Sequence, residues 1–185
     1  LSLMSLVAAI SAGIFVWRRD GRLLPSGFLN LVLLALPLII LVSAMRASQW
    51  DEFPHWLMIP RYMLETDLFP SSENPYPQAY LTGYPFSWHF VTYLASRVAG
   101  KILENAGALT NVFLLLSFGL VVAQMIARGS GQKNEINANP SWFLIVLGGA
   151  IMLLANPTFS QKIVLTSYAE TSSAVAMGAA VVVAW

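Results

Sequence analysis

Five stretches of this chain run without a single charged side chain: residues 1–17, 27–45, 106–127, 142–155 and 171–185. A helix needs about 20 mostly apolar residues to cross a hydrocarbon layer of about 30 Å. Runs of this length, separated by short charged linkers, predict a polytopic bundle of transmembrane helices. The expected spans are 1–17, 27–45, 106–127, 141–155 and 171–185, in one all-α transmembrane domain. Composition points the same way. Charged residues make up 10% of the chain, against roughly 25% in a soluble domain. Too few polar groups are present to cover a globular surface, which argues against a soluble enzyme and a disordered chain. The net charge of +1 excludes a nucleic-acid-binding domain. The absence of cysteine removes disulfides, thiol nucleophiles and cysteine metal sites. Two histidines, His55 and His89, do not make a His-rich zinc site.

Leu1 to Trp17 fits a signal peptide poorly, since no small-x-small cleavage site follows before Arg18-Arg19-Asp20. The chain opens at Leu1 and stops at Trp185 inside an apolar run. It therefore reads as a piece of a larger polytopic protein, or as a processed one. Positive residues concentrate in cytoplasmic loops. Arg18, Arg19 and Arg22 follow the first span, and Arg128 and Lys133 follow the third. Placing both linkers inside makes residues 46–105 a long extracytoplasmic loop, with four basic residues against six acidic ones.

That loop is where chemistry is expected. Twelve of the 22 aromatics fall between Trp50 and Tyr93, and six of the ten prolines between Arg46 and Pro85. Rings with a polar tip suit the membrane–water boundary. The loop is therefore read as short interfacial helices broken by proline: Asp51–Ile59, Arg61–Phe69 and Phe86–Val98, the last of which is alternatively a re-entrant span. Arg61 and Glu65 would pair at i, i+4. Ser87, Ser96 and Arg97 would lie on the wet side of the third helix.

Asp51 and Glu52 stand just beyond a span end. Two carboxylates there can bind a hard divalent cation or take a proton from a nucleophilic hydroxyl. The plain alternative is that they cap the following helix. His55, four residues after Asp51, can join a metal or simply pack. Glu170 stands at the outer start of the last span, where an acid is costly unless it pairs or faces water. Asp51 and Glu170 can thus line one cavity and share a cation. Lys162 and Arg61 are candidates to hold a phosphate, or are merely solvated. No GxGxxG, P-loop, GxSxG or HExxH motif is present. The GxxxG-like spacing of the final span reads as helix packing.

A span, an outer loop opening with Asp51-Glu52, a Pro- and Tyr-rich stretch through Tyr84-Pro85, an interfacial helix, a helix hairpin and the acid Glu170 follow in that order. This order resembles the N-terminal part of the GT-C superfamily of integral membrane glycosyltransferases, over roughly Gly27 to Trp185. The resemblance implies a sugar donor carried on a polyprenyl phosphate, with Asp51 as the catalytic carboxylate and Glu52 as the second member of its motif. It places Tyr84 where many bacterial members have Tyr-Pro-Pro, although Phe86 is third here. Glu170 stands where many have Asp, and two spans precede the acidic loop where the family usually has one. Tyr84, Arg61, Lys162, His55 and Glu170 become substrate-binding candidates, and Mg or Mn a candidate cofactor on Asp51 and Glu170. The partners implied are the lipid-linked donor, membrane lipids and an acceptor the sequence does not name. The competing readings are a secondary transporter or flippase, with the outer acids as ion sites, and a non-catalytic membrane subunit whose loop docks a partner.

Overall fold

The structure is a computed structural model. It describes residues 7, 10, 11, 13–18, 21, 23–71, 73, 88–129, 140–154 and 166–184. Among these the fold is all-helical, with no strand. Six α-helices carry the argument: α1 Phe28–Ala44, α2 Met58–Thr66, α3 His89–Ala99, α4 Ala106–Gly129, α5 Trp142–Leu154 and α6 Ala169–Ala184.

The charge-free runs become α1, α4, α5 and α6. At 24 residues α4 is about 36 Å long. Among the described residues it is the one helix long and apolar enough to cross a membrane, with α1, α5 and α6 as shorter apolar helices. It is also the hub, packing against α1, α3, α5 and α6. Val112, Leu116 and Leu120 recur every four residues, so they form one stripe. Leu31, Ala35 and Val42 of α1 and Ile145 of α5 join that stripe in the core. The other side of α1 is bare, with Leu29, Leu33, Leu36, Ile40 and Leu41 all exposed. The α4–α5 crossing is set by glycine. A Cβ on Gly119 would lie 2.9 Å from the Gly148 carbonyl oxygen, closer than side-chain carbon tolerates, so the two backbones touch directly.

Helix ends fix the directions. The Asn105 amide donates to the Ser43 carbonyl at 2.6 Å, joining the end of α1 to the start of α4. At the other end the Gln124 amide donates to the Ser26 carbonyl at 3.1 Å. Helices α1 and α4 are therefore antiparallel. The start of α6 returns to the first end, where Asn111 of α4 holds the carbonyls of Thr166 and Tyr168. One end of the bundle thus gathers the close of α1, the start of α4, the start of α6, and α2 and α3.

The short helices depart from expectation in detail. A 3-10 turn at Trp50–Glu52 and a π turn at Phe53–Leu57 lead straight into α2, so Trp50 to Thr66 is one continuous helical run. Pro54 falls in the opening of the π turn and Pro60 in the first turn of α2, and the helical run continues past both. Helix α2 stops at Asp67, in the left-handed region at φ 55°, rather than at Phe69. Ser96, expected in water, is 0% exposed. Its hydroxyl accepts the Leu103 N–H at 2.9 Å and ties off the turn after α3. Arg61 and Glu65 form no ion pair. The described pair is instead Arg97 with Asp67, at 2.9 Å.

Candidate functional site

Gln49 is extended, and the chain then turns sharply through Trp50–Glu52. Such a turn leaves its first N–H groups without partners. Glu52 supplies them. Its Oε2 accepts the N–H of Ser48 at 2.9 Å and of Gln49 at 3.0 Å. Its Oε1 reaches across 115 residues to accept the Ser167 N–H at 2.9 Å. The side chain is 3% exposed. A buried carboxylate is stable only when its oxygens are so engaged.

Ser167 is held from every side. Its carbonyl accepts the Trp88 indole N–H at 2.6 Å, and its hydroxyl donates to the Glu104 carbonyl at 3.1 Å. The Asn111 amide, 0% exposed, donates to both neighbouring carbonyls, Thr166 at 3.0 Å and Tyr168 at 2.7 Å. Gly107 allows this approach, because a Cβ there would sit 2.9 Å from the Ser167 Cβ. Glu104 in turn accepts the Ala47 N–H at 3.2 Å. The strand of chain leading into α6 is thereby fixed against the turn that carries Asp51.

The outcome is a small acidic centre around Tyr168. The Tyr168 phenol is raised above its ordinary 10.0, first by burial and then by the charges of Asp51 and Glu52, with Glu170 adding to the rise. A hydrogen bond from the Asp51 backbone works against that rise. The phenol therefore stays protonated and able to donate. Asp51 and Glu170 are exposed, whereas Glu52 is buried. The neighbouring acids thus have different surroundings: Asp51 faces water, and Glu52 is committed to three backbone N–H groups.

Beneath this centre lies a ring stack. Trp56 and His89 stack at 5.0 Å between centroids, and His55 meets them edge-on at 4.6 and 4.8 Å. Tyr168 lies over Trp56 at 6.2 Å. All three members of the stack are buried. Burial lowers the His55 pKa below 6.5, and the Asp51 charge pulls it back upward. His55 thus packs while feeling the acid four residues away.

Of the residues singled out from sequence, Asp51, Glu52 and Glu170 all act on the Tyr168 phenol, and Asp51 acts on His55 as well. Arg61 stands apart, lining two cavities that neither Asp51, Glu52 nor Glu170 lines. Tyr84 and Lys162 lie outside the described residues. For a divalent cation, Asp51 and Glu170 offer two carboxylates, and no group of three His, Asp or Glu among the described residues converges on a metal position. The described donors do not complete a hard cation's shell of six or more oxygens, and no step below passes through one.

Sequence reasoning missed Tyr168, Asn111, Trp88 and His89. Asn111 carried a signal, being an amide inside the longest apolar run, where polar groups need a partner. Compared with protein-family models, curated proteins and solved structures, the chain matches none of them.

Proposed function

We propose that the chain is the acidic-loop portion of a polytopic membrane glycosyltransferase, which moves a sugar from a polyprenyl-phosphate donor to an acceptor on the extracytoplasmic side. The observation that carries the proposal is the water-facing Asp51 placed with Glu170 around one protonated phenol, at the bundle end that also holds α2, α3 and their aromatic residues. The motif order of the resemblance supports the same reading. In this reading the apolar helices α1, α4, α5 and α6 all span, and residues 46–105 lie on the outer face.

The reaction is displacement at an anomeric carbon. The acceptor oxygen forms its bond to that carbon while the bond to the lipid phosphate oxygen breaks, and the phosphate leaves with the electron pair. Asp51 takes the acceptor's proton. The Tyr168 O–H, kept protonated, donates to a sugar or acceptor oxygen and orients it. Glu52 positions both by joining the Asp51 turn to Ser167. Water access suits Asp51 for proton exchange with the medium after each turnover.

The test is transfer from a polyprenyl-phosphate sugar by the full-length protein in vesicles. Asp51→Asn should lower the rate by about 100-fold or more, with insertion unchanged, because a positioned base contributes at least that much. Undiminished transfer by this variant would end the enzyme reading.

A further inference from the structure

An open cleft of about 490 Å³ lies between α2 and α3, walled by Arg61, Leu64, Glu65, Ser96, Arg97 and Lys101. That volume is within the usual range for a small-molecule site. Three of the six described Lys and Arg residues line it. Two carboxylates answer them: Glu65 in the wall, and Asp67, which grips Arg97 through both its oxygens at 2.9 and 3.1 Å. The cluster carries a net charge of +1. A phosphodiester carries the opposite charge, and its oxygens match the planar fork of Arg61, the Arg97 fork being turned to Asp67. Because Asp67 fixes the Arg97 guanidinium in place, little side-chain entropy is lost on binding an anion there.

A second cavity of about 390 Å³ shares Arg61 as a wall. It is apolar, formed by Trp50, Phe53, Pro54, Leu57 and Met58. Its Glu104 is already engaged by the Ala47 N–H. Trp50 is 70% and Phe53 53% exposed, so large apolar surface stands uncovered beside a cationic pocket. Water alone would leave that surface at a cost of about 25 cal/mol per Å². A free phosphate would answer the charge of the first cavity and leave the second bare. One molecule with an anionic head and an apolar chain fills both.

We infer that the α2–α3 cleft and its adjoining groove hold one phospholipid of the surrounding leaflet. Its phosphodiester lies among Arg61, Arg97 and Lys101, and one acyl chain runs along Trp50, Phe53, Leu57 and Met58. The inference rests on the membrane setting of the proposed function and on none of its chemistry. This lipid is not consumed. It seats the α2–α3 pair on the headgroups and so holds the Asp51 turn at a fixed depth.

The full chain, purified in neutral detergent, is loaded with dioleoyl phosphatidylglycerol and the retained lipid is counted by native mass spectrometry. One lipid per chain is expected. Dioleoylglycerol, which lacks the phosphate, should be retained at least tenfold less, and millimolar inorganic phosphate should not displace the lipid. Lys101→Glu should reduce retention about tenfold, and Arg97→Gln with Lys101→Gln at least as much, with helicity unchanged by circular dichroism. Asp51→Asn should retain lipid as the unaltered chain does. Equal retention by both the single and the double variant, or equal retention of dioleoylglycerol, would overturn the inference. Displacement by inorganic phosphate would make this a soluble-anion site and overturn it as well. Because transfer is read separately with Asp51→Asn, failure here leaves the catalytic proposal standing, and failure there leaves this one.

Discussion

His55 is an imidazole folded into an aromatic stack with a carboxylate close by. Burial disfavours its charged form, and the Asp51 charge only partly offsets that. In the unfolded chain the group titrates near 6.5. The folded state therefore binds that proton more weakly than the unfolded state does. The sign of the linkage follows: the His55 contribution is intact above pH 6.5 and is lost as pH falls through the lowered folded value. Thermal melts of the unaltered chain should drop in midpoint as pH is taken from 6.5 toward about 5. His55→Gln, an uncharged replacement, should show a shallower drop over the same window. Parallel curves for the two proteins would mean that His55 does not titrate in it. The same scale separates the two adjacent acids, because Asp51 has water where Glu52 has three N–H donors.

At the level of elements, Glu52 is the joint between the turn at Trp50–Glu52 and the start of α6. Glu52→Ala removes three charge-assisted hydrogen bonds and strands their donors in a largely dry place. A loss of about 3 kcal/mol in unfolding free energy is expected, read by chemical denaturation in detergent. Glu52→Gln keeps one acceptor oxygen and should recover part of that loss. Asp51→Asn, at an exposed position, should stay within about 0.5 kcal/mol. Helix existence was legible in the sequence because an uncharged apolar run has few other fates: α1 and α5 fall inside the expected spans, while α4 runs two residues past Ala127 and α6 starts two residues before Thr171. Boundaries in the aromatic loop were less legible. Pro60 looked like a break between two helices, yet the helical run from Trp50 to Thr66 passes through it. Ser96 looked like a wet residue by its chemistry, while its hydroxyl was needed by the Leu103 N–H. The Glu52–Ser167 bond could not be read at all, since nothing local to either residue reports the other. That Asp51, Glu52 and Glu170 all raise the Tyr168 phenol was legible only through the alternation of spans, which put these acids at one end.

Seen whole, the molecule has two unlike ends. One gathers the acids, the ring stack and the short helices. The other brings together Gly27, Gln124 and Pro140 at the starts of α1 and α5 and near the close of α4. If all the apolar helices span, these ends face opposite compartments. The chain contains no cysteine, so single cysteines report cleanly. Ser48→Cys at the acidic end and Gly129→Cys, whose added side chain would enter open space, are the informative pair. In sealed cells a membrane-impermeant maleimide should label the first and spare the second until the membrane is broken. Labelling of both in intact cells would refute the multi-span arrangement.

The bond from Glu52 to Ser167 also sets a clock. A ribosome adding about 5–20 residues per second needs roughly 6–23 s to make the 115 residues between them. For that interval the nascent polypeptide carries Asp51 without Tyr168 or Glu170. If the acids act as proposed, their chemistry begins only after translation has passed the threshold of α6, so truncated products ending before it should be inert however well they insert.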